Sequence, residues 1–304
     1  MNKYNILLTG ATGFVGQNLK PYLQNRSNQI IPFSLSEDNW RDDTLFISID
    51  VIIHLAGKAH DTRNTSSSGE YFRVNTELTK QIFDTFLQSS ARDFIFFSSV
   101  KAAADRINGI LDEKVVPDPK TPYGRSKLKA EEYILAQPLP EEKRVIILRP
   151  CMIHGPGNKG NLNLLYKVVQ KGIPYPLGAY NNLRSFTSIE NLCFLIHKIL
   201  NSEIPSGIYN VADDKSLSTI RIIELMSKEM GRRKRIWKIS PSLINGLAKA
   251  GDYLHLPLNT ERLKKLTESY IVSNQKLITA LHTSLPVTAE EGMKQTIRSF
   301  LRQN

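Results

Sequence analysis

Short apolar runs without internal alternation recur through the N-terminal part of the chain, each followed by a longer stretch of helical period. The clearest are Asn5-Ile6-Leu7-Leu8-Thr9, Val51-Ile52-Ile53-His54-Leu55, Phe94-Ile95-Phe96-Phe97-Ser98-Ser99 and Val145-Ile146-Ile147-Leu148-Arg149-Pro150. A strand with no polar face needs cover on both sides, as in a parallel sheet between two helical layers. Gln29-Ile30-Ile31-Pro32-Phe33-Ser34 reads as a further strand. Apolar spacing predicts helices ending near Gln24, over 71–87, from Pro122 onward, over 189–200 and over 220–230, with a short strand at Ile208-Tyr209-Asn210-Val211. The stretch between Ser34 and Ile49 leaves little room for a full helix and strand, so a truncated third unit is expected. Asp61 to Gly69 is polar and rich in Ser and Thr, hence a loop, one able to move over the site.

Beyond Pro150 the alternating rhythm weakens and the loops lengthen, which points to a second lobe. The expected fold is α/β: a doubly wound parallel sheet over residues 1–160, with 185–212 returning to it, and a smaller mixed α/β C-terminal lobe over 161–304. A chain of 304 residues can bury a core of this size. Neither an internal repeat nor a low-complexity tract interrupts it.

The two cysteines, Cys151 and Cys193, lie far apart without metal-ligand spacing and suit buried thiols in a reducing cytoplasm. Ile6-Leu7-Leu8 is too short for a signal-peptide core, and no apolar stretch approaches the roughly 20 residues of a membrane span. A cytoplasmic protein without stable membrane insertion is expected. The net charge of +11 is sharpest at Gly231-Arg232-Arg233-Lys234-Arg235. Such a cluster suits nucleic acid or anionic lipid, but no nucleic-acid recognition motif accompanies it. The favoured reading is a solvated loop on a protein that handles doubly charged substrates, with no nucleic-acid partner.

Gly10-Ala11-Thr12-Gly13-Phe14-Val15-Gly16 connects the first strand to the first helix. In that setting the first glycine permits a tight turn, the second lets backbone approach a pyrophosphate, and the third lets helix pack on strand. The phosphate would sit at the helix N-terminus, where free N–H groups and the helix dipole favour anions. A dinucleotide is the implied ligand. The second strand ends in Ser34, with Glu37, Asp38 and Arg41 beyond it, a mixture that leaves NAD or NADP open. Ala56 and Gly57 are small where the chain should pass the cofactor. His54 and His60 have no second-ligand spacing and read as packed or surface residues, so no metal is expected.

Thr121 can cap a helix whose first position is Pro122, which places Tyr123 and Lys127 four apart on one face. A neighbouring ammonium favours phenolate, so the tyrosine pKa of roughly 10 is expected to fall toward operating pH, as acid/base work requires. A solvated helix face produces the same spacing, and only the surrounding pattern separates the two. Ser99, at a strand end facing the same crevice, could share a hydrogen bond with Tyr123 and a substrate alcohol. Asn75 falls on the 71–87 helix, either partly exposed or holding a water or backbone group beside the site. In the second lobe, Arg184 has the fork geometry that matches phosphate oxygens, and a surface arginine is its competing reading.

Gly10-x-x-Gly13-x-x-Gly16, His54-Leu55-Ala56-Gly57, Asn75, Ser98-Ser99, Tyr123-x-x-x-Lys127, Arg149-Pro150 and Gly155-Pro156-Gly157, in this order, resemble the extended short-chain dehydrogenase/reductases. Within them the chain looks like the sugar-nucleotide epimerase/dehydratase family, over essentially its whole length. The resemblance implies a Rossmann domain binding NAD, or NADP, and a lobe holding a UDP-sugar. It implies catalytic roles for Tyr123, Lys127 and Ser99. Cofactor contacts would come from Gly10, Thr12, Gly13, Phe14, Val15, Gly16, Ser34, Leu55, Ala56, Gly57, Asn75, Tyr123, Lys127, Pro150 and Ile153, and substrate contacts from Ser99, Lys101, Asn161 and Arg184.

The 4,6-dehydratases carry Thr-Asp-Glu where this chain has Ser99-Val100-Lys101, so dehydration is disfavoured. Typical 4-epimerases follow the serine with Val-Tyr-Gly, whereas Ala102-Ala103-Ala104-Asp105 stands here. Ser98-Ser99-Val100-Lys101, Lys159-Gly160-Asn161 and Asn182-Leu183-Arg184-Ser185 look closest to a bacterial branch that holds UDP-hexosamine 4-epimerases and 4-ketoreductases of polysaccharide assembly. A UDP-sugar 4-epimerase is the expected activity, with one-way reduction of a UDP-4-keto-6-deoxy-N-acetylhexosamine as the alternative. A non-catalytic dinucleotide-binding protein with a basic RNA- or partner-binding surface is the contrasting class, and it would predict loss of Tyr123 or Lys127. By the same resemblance a homodimer would pair through the 72–87 and 122–135 helices.

Overall fold

Ile6, Leu7, Leu8, Ile52, Ile53, Phe94, Ile95 and Phe96 have no solvent exposure in the computed structural model, so the sheet they form is covered on both faces. Residues 3–34, 46, 48–58, 67–158, 160–254 and 258–302 are described. The sheet strands are β1 (Asn5–Thr9), β2 (Gln29–Phe33), β3 (Val51–His54), β4 (Asp93–Phe97), β5 (Arg144–Pro150) and β6 (Gly207–Val211). All pair in parallel, in the spatial order β6-β5-β4-β3-β1-β2. The direction of winding reverses between β1 and β3, and ligands of such sheets bind beyond the strand ends at that reversal.

Helix α1 (Phe14–Gln24) covers one face. The other carries a continuous helical run made of α2 (Ser68–Phe72), a π-helical turn over Arg73–Glu77, and α3 (Leu78–Gln88). Apolar spacing anticipated the run but not the π turn, which inserts an extra residue and buries Asn75 completely. Helix α4 (Val100–Ala103) follows β4. Helix α5 (Pro122–Ala136) starts at Thr121, whose hydroxyl accepts from the Gly124 N–H at 3.2 Å. It packs its Ala130 and Ile134 against Phe83 and Phe86.

Helix α6 (Asn161–Gln170) opens the C-terminal part, and α7 (Ile189–Leu200) returns to pack beside α1. Helices α8 (Thr219–Glu229), α9 (Pro241–Tyr253), α10 (Thr260–Thr267), α11 (Gln275–Ala280) and α12 (Ala289–Arg302) follow. Tyr166, Phe186, Met226, Met293 and Phe300 form a core separate from those on the two sheet faces. A smaller cluster of Leu177, Ile244, Ala248 and Leu263 lies between α9 and α10. A buried polar clasp joins the lobe to the sheet. Asp213 accepts from the Ser188 N–H at 2.9 Å and from Asn191 Nδ2 at 2.7 Å, while His154 Nδ1 meets Thr296 Oγ1 at 2.8 Å. Among the described residues, no helix is long and apolar enough to cross a membrane.

Candidate active site

The loop leaving β1 is shaped by its glycines, each for a different reason. Gly10 has φ +67°, and a Cβ there would lie 2.7 Å from the Ala56 nitrogen and 2.9 Å from the Leu55 carbonyl carbon. A Cβ on Gly16 would lie 2.5 Å from the Gly10 oxygen and 2.6 Å from Ala11 Cα. Gly13 is different: it is exposed, and its Cβ would meet only the Gly10 oxygen at 3.4 Å. The two outer glycines therefore serve internal packing, while the middle one leaves backbone open to the crevice. The first turn of α1 carries no side-chain cap and no carboxylate, so its N–H groups face outward as an anion site. These residues fit a dinucleotide diphosphate. Thr12 is exposed at the loop tip, and Phe14 and Val15 turn partly into the core beneath it.

Under the loop runs a chain of buried hydrogen bonds. The Ala56 N–H donates to Thr9 Oγ1 at 3.1 Å, Thr9 Oγ1 meets His54 Nδ1 at 2.7 Å, and His54 Nε2 meets Thr79 Oγ1 at 2.9 Å. Thr79 spends its own proton on the Asn75 carbonyl at 2.9 Å. It can therefore only accept from His54, which assigns the neutral imidazole with its proton on Nε2. Burial, reinforced by the Lys127 charge, lowers the His54 pKa to about 3. His54 is a structural strut.

Asn75 uses both ends of its amide. Oδ1 accepts from the Lys58 N–H at 2.7 Å, and Nδ2 donates to the Lys58 carbonyl at 3.1 Å and to Ser126 Oγ at 3.0 Å. The π turn thus clamps the chain after β3 to helix α5. Gly57 passes through the clamp, where a Cβ would lie 3.0 Å from both Asn75 Oδ1 and Lys127 Nζ.

Helix α5 is anchored at its start by Asp105, which accepts from the N–H groups of Lys120 at 2.6 Å and Thr121 at 2.9 Å. Gly124 packs directly on the Lys101 carbonyl, with no room for a side chain. This junction brings Tyr123 to Ser99, and the two hydroxyls are hydrogen-bonded. Tyr71 lies edge-on to Tyr123, with ring centroids 6.1 Å apart.

The expected depression of the tyrosine pKa by Lys127 is not what this geometry gives. Burial pushes the Tyr123 phenol above its ordinary value, and the opposing pull comes from the Ser99 hydroxyl. Lys127 is itself buried, and its ammonium donates to the Phe97 carbonyl at 2.7 Å beneath the phenol's helix. Burial lowers its pKa from 10.5 to about 8, partly offset by Glu131. Glu131 forms a two-pronged pair with the fully buried Arg149, with Nε to Oε1 at 2.9 Å, and also accepts from Ser98.

The substrate-side candidates divide. Lys101 Nζ donates to the Asp105 carbonyl at 2.7 Å and lies 4.1 Å over the Tyr270 ring. Its pKa is lowered, mainly by burial, with a smaller contribution from the charge of Arg184. Arg184 spends part of its fork on the carbonyls of Glu268, at 3.3 Å, and Lys265, at the C-terminal end of α10. Asn161 begins α6. Pro150 ends β5, and Ile153 packs against the sheet core. Ser34 is exposed just past β2. Glu37, Asp38, Arg41, His60 and Lys159 lie outside the described residues, as does the 61–66 part of the polar loop.

Sequence reasoning passed over Tyr71 and Tyr270. The single hydroxyl proton of Tyr270 is shared between the carbonyls of Ala104 at 2.6 Å and Val100 at 3.1 Å, pinning α4 from the second lobe. No local pattern announces that contact.

The NAD dependent epimerase/dehydratase family model matches residues 6–212. The chain is 29% identical to a UDP-glucose 4-epimerase of Vibrio cholerae, over 99% of this chain and 96% of that one. It is 26% identical to the N-acetyl-alpha-D-glucosaminyl-diphospho-ditrans,octacis-undecaprenol 4-epimerase of Escherichia coli O157:H7, over 97% and 94% of the two chains. Among solved structures, the UDP-N-acetylglucosamine 4-epimerase of Bacillus cereus superposes with a TM-score of 0.77 at 19% identity, over 99% of this chain and 100% of that one. The UDP-glucuronic acid 4-epimerase of the same organism, in complex with NAD, superposes at 0.74 with 19% identity, over 98% and 99%. At such identities the structural likeness speaks for the fold.

Proposed function

Since the chain belongs to the NAD-dependent epimerase/dehydratase family, we propose that it acts at C4 of a UDP-hexose or UDP-N-acetylhexosamine, as a 4-epimerase. The observation that supports this reading is the Ser99–Tyr123 hydroxyl pair, on a helix whose Lys127 is buried and bound to the strand end before Ser99. NAD held at the glycine loop would supply the hydride acceptor and donor for C4. Tyr123 takes the C4 hydroxyl proton at its Oη and gives it back on return, and Ser99 aligns that hydroxyl through its shared hydrogen bond. Lys127, fixed by the Phe97 carbonyl and close to Gly57, would supply positive charge on the cofactor side of the site. Lys101 and Arg184 supply the positive potential that a diphosphate needs, with Asn161 at the start of α6 as a further contact. Pairing of two copies through the exposed sides of α3 and α5 belongs to the same reading.

One-way reduction of a UDP-4-keto-6-deoxy-N-acetylhexosamine uses the same proton and hydride. Ala102-Ala103-Ala104-Asp105, standing where typical 4-epimerases carry Val-Tyr-Gly, weakens a simple UDP-glucose 4-epimerase reading and keeps this alternative open. The E. coli relative bears a polyprenol-linked sugar in its name, and that carrier offers the same diphosphate. The test is incubation of purified protein with UDP-N-acetylhexosamines, a UDP-4-keto sugar and a polyprenyl-diphosphate sugar, following NAD(P)H absorbance and product stereochemistry. Catalytic interconversion without net cofactor consumption supports the epimerase. Stoichiometric consumption with the keto sugar replaces it by the reductase, and inertness toward all three removes both.

A further inference from the structure

Helix α9 carries two apolar faces. Ile244, Ala248 and Gly251 are buried, the first two against Leu177 and Leu263. Along the neighbouring side, Leu243, Leu247, Ala250 and Leu254 recur at helical spacing and stand in solvent, the three leucines at 58%, 52% and 60% exposure. Tyr253 closes the helix at 86% exposure, and Leu266 of the adjoining α10 is half exposed. One apolar stripe suffices to hold a helix to its own domain, so the second calls for another occupant.

The charge of the chain that leads into α9 and along it identifies that occupant. From 231 to 254 the chain has six basic residues, Arg232, Arg233, Lys234, Arg235, Lys238 and Lys249, against the single acid Asp252. Asp252 is engaged by the Thr260 N–H at 3.0 Å. The basic segment runs into the base of α9 through bridges of Ile236 to Tyr175 and Lys238 to Leu177. Lys234 and Lys265 pair with Glu224 and Glu261 at 2.6 Å, whereas Arg233, Lys238, Lys249 and Lys264 enter no ion pair among the described residues. Trp237, more than half exposed, stands four residues before the helix.

We propose that α9 and the basic segment before it form a contact for an anionic membrane surface. The leucine stripe enters the boundary between headgroups and acyl chains, while the flanking lysines and arginines meet lipid phosphates. A nucleic acid would use the charges but leave the leucines in water. A second copy would cover the leucines but set the same basic flank against itself. An anionic bilayer satisfies both features. Arg184 binds the carbonyls that end α10, so the docked helix pair is continuous with the substrate lobe, and this inference stands whichever C4 reaction the site performs.

The experiment is co-sedimentation of the full chain with vesicles of phosphatidylcholine alone or mixed with phosphatidylglycerol, read beside activity on a soluble UDP-sugar. Binding to the anionic vesicles roughly tenfold or more above the neutral ones, weakening with salt, is expected. Leu243→Gln with Leu247→Gln should lower partitioning at least about tenfold, with melting temperature and soluble activity unchanged. Should that variant misfold, Lys238→Glu with Lys249→Glu provides the second reading and should abolish the anionic preference. Failure to bind either vesicle overturns the proposal. So does full binding by the leucine variant, which would leave charge alone, or its conversion from dimer to monomer, which would make the stripe a contact between copies.

Discussion

The Lys127 ammonium donates 2.7 Å to the Phe97 carbonyl, so the helix that presents Tyr123 is tied to the end of the strand that presents Ser99. The same ammonium sits where a side chain on Gly57 would have to go. Lysine here is a structural part and a source of charge at once, and the two roles separate experimentally.

Tyr123→Phe keeps the ring against Tyr71 and removes only the hydroxyl. Cofactor binding should be nearly intact, with turnover lower by a factor on the order of 10² or more, as for loss of a positioned acid/base. The raised pKa adds a pH signature: in the free enzyme the phenol stays protonated through neutral pH, so kcat/KM for sugar oxidation should rise toward alkaline pH. Unchanged turnover in the variant, measured with saturating cofactor, removes Tyr123 from the chemistry.

Lys127→Met tests the cost of the buried charge. With a folded pKa of about 8 against 10.5 unfolded, the unfolded chain binds more protons between those values, so stability rises with pH across that window. Below about pH 8 both states are charged and the whole cost is present. That difference corresponds to roughly 3 kcal/mol, of which the lost hydrogen bond to Phe97 returns about 1. The cofactor-free variant should therefore be more stable than the parent at pH 7, with an advantage that shrinks as pH rises from 8 toward 10. Urea titrations at pH 7 and 9.5 measure it, and a variant less stable at pH 7 refutes the picture.

The sheet was legible because its strands are buried on both sides: Leu7, Ile52 and Phe96 could not be read as a half-solvated sheet. The glycine loop was legible for the same kind of reason, since Gly10 and Gly16 stand where backbone passes within contact distance of backbone. What the sequence hid depends on contacts distant along the chain. The i,i+4 spacing of Tyr123 and Lys127 suggests an ammonium beside a phenol, but the amine turns inward to the Phe97 carbonyl at the end of β4, and no local spacing encodes that. The π turn at Asn75 and the clasp of Tyr270 on α4 are likewise set by partners elsewhere.

Gly57→Ala should uncouple positioning from folding. The added methyl would lie 3.0 Å from Lys127 Nζ and Asn75 Oδ1, and the lysine, as the end of a flexible chain, can give by a few tenths of an ångström. Melting temperature should change little. Turnover should fall by roughly 10- to 100-fold, because small misplacements of catalytic groups are costly. Equal losses in stability and turnover would show that the glycine serves packing alone.

The pair of Glu131 and Arg149 offers the sharpest test of what holds the site in place. Both are about 1% exposed, and Glu131 accepts from Arg149 and from Ser98, the residue before Ser99. Removing one member leaves the other charged in a dry interior, so Glu131→Leu or Arg149→Met alone should each cost about 3–5 kcal/mol. Replacing both removes the stranded charge, and the double variant should cost less than either single one. Its activity should nevertheless stay depressed, because Ser98 has lost its acceptor and Ser99 is no longer fixed from behind. Urea unfolding of the three variants, read beside turnover, separates the two effects. Additive losses in stability would mean that the carboxylate and the guanidinium do not depend on each other, and the account of a coupled pair beneath the site would fail.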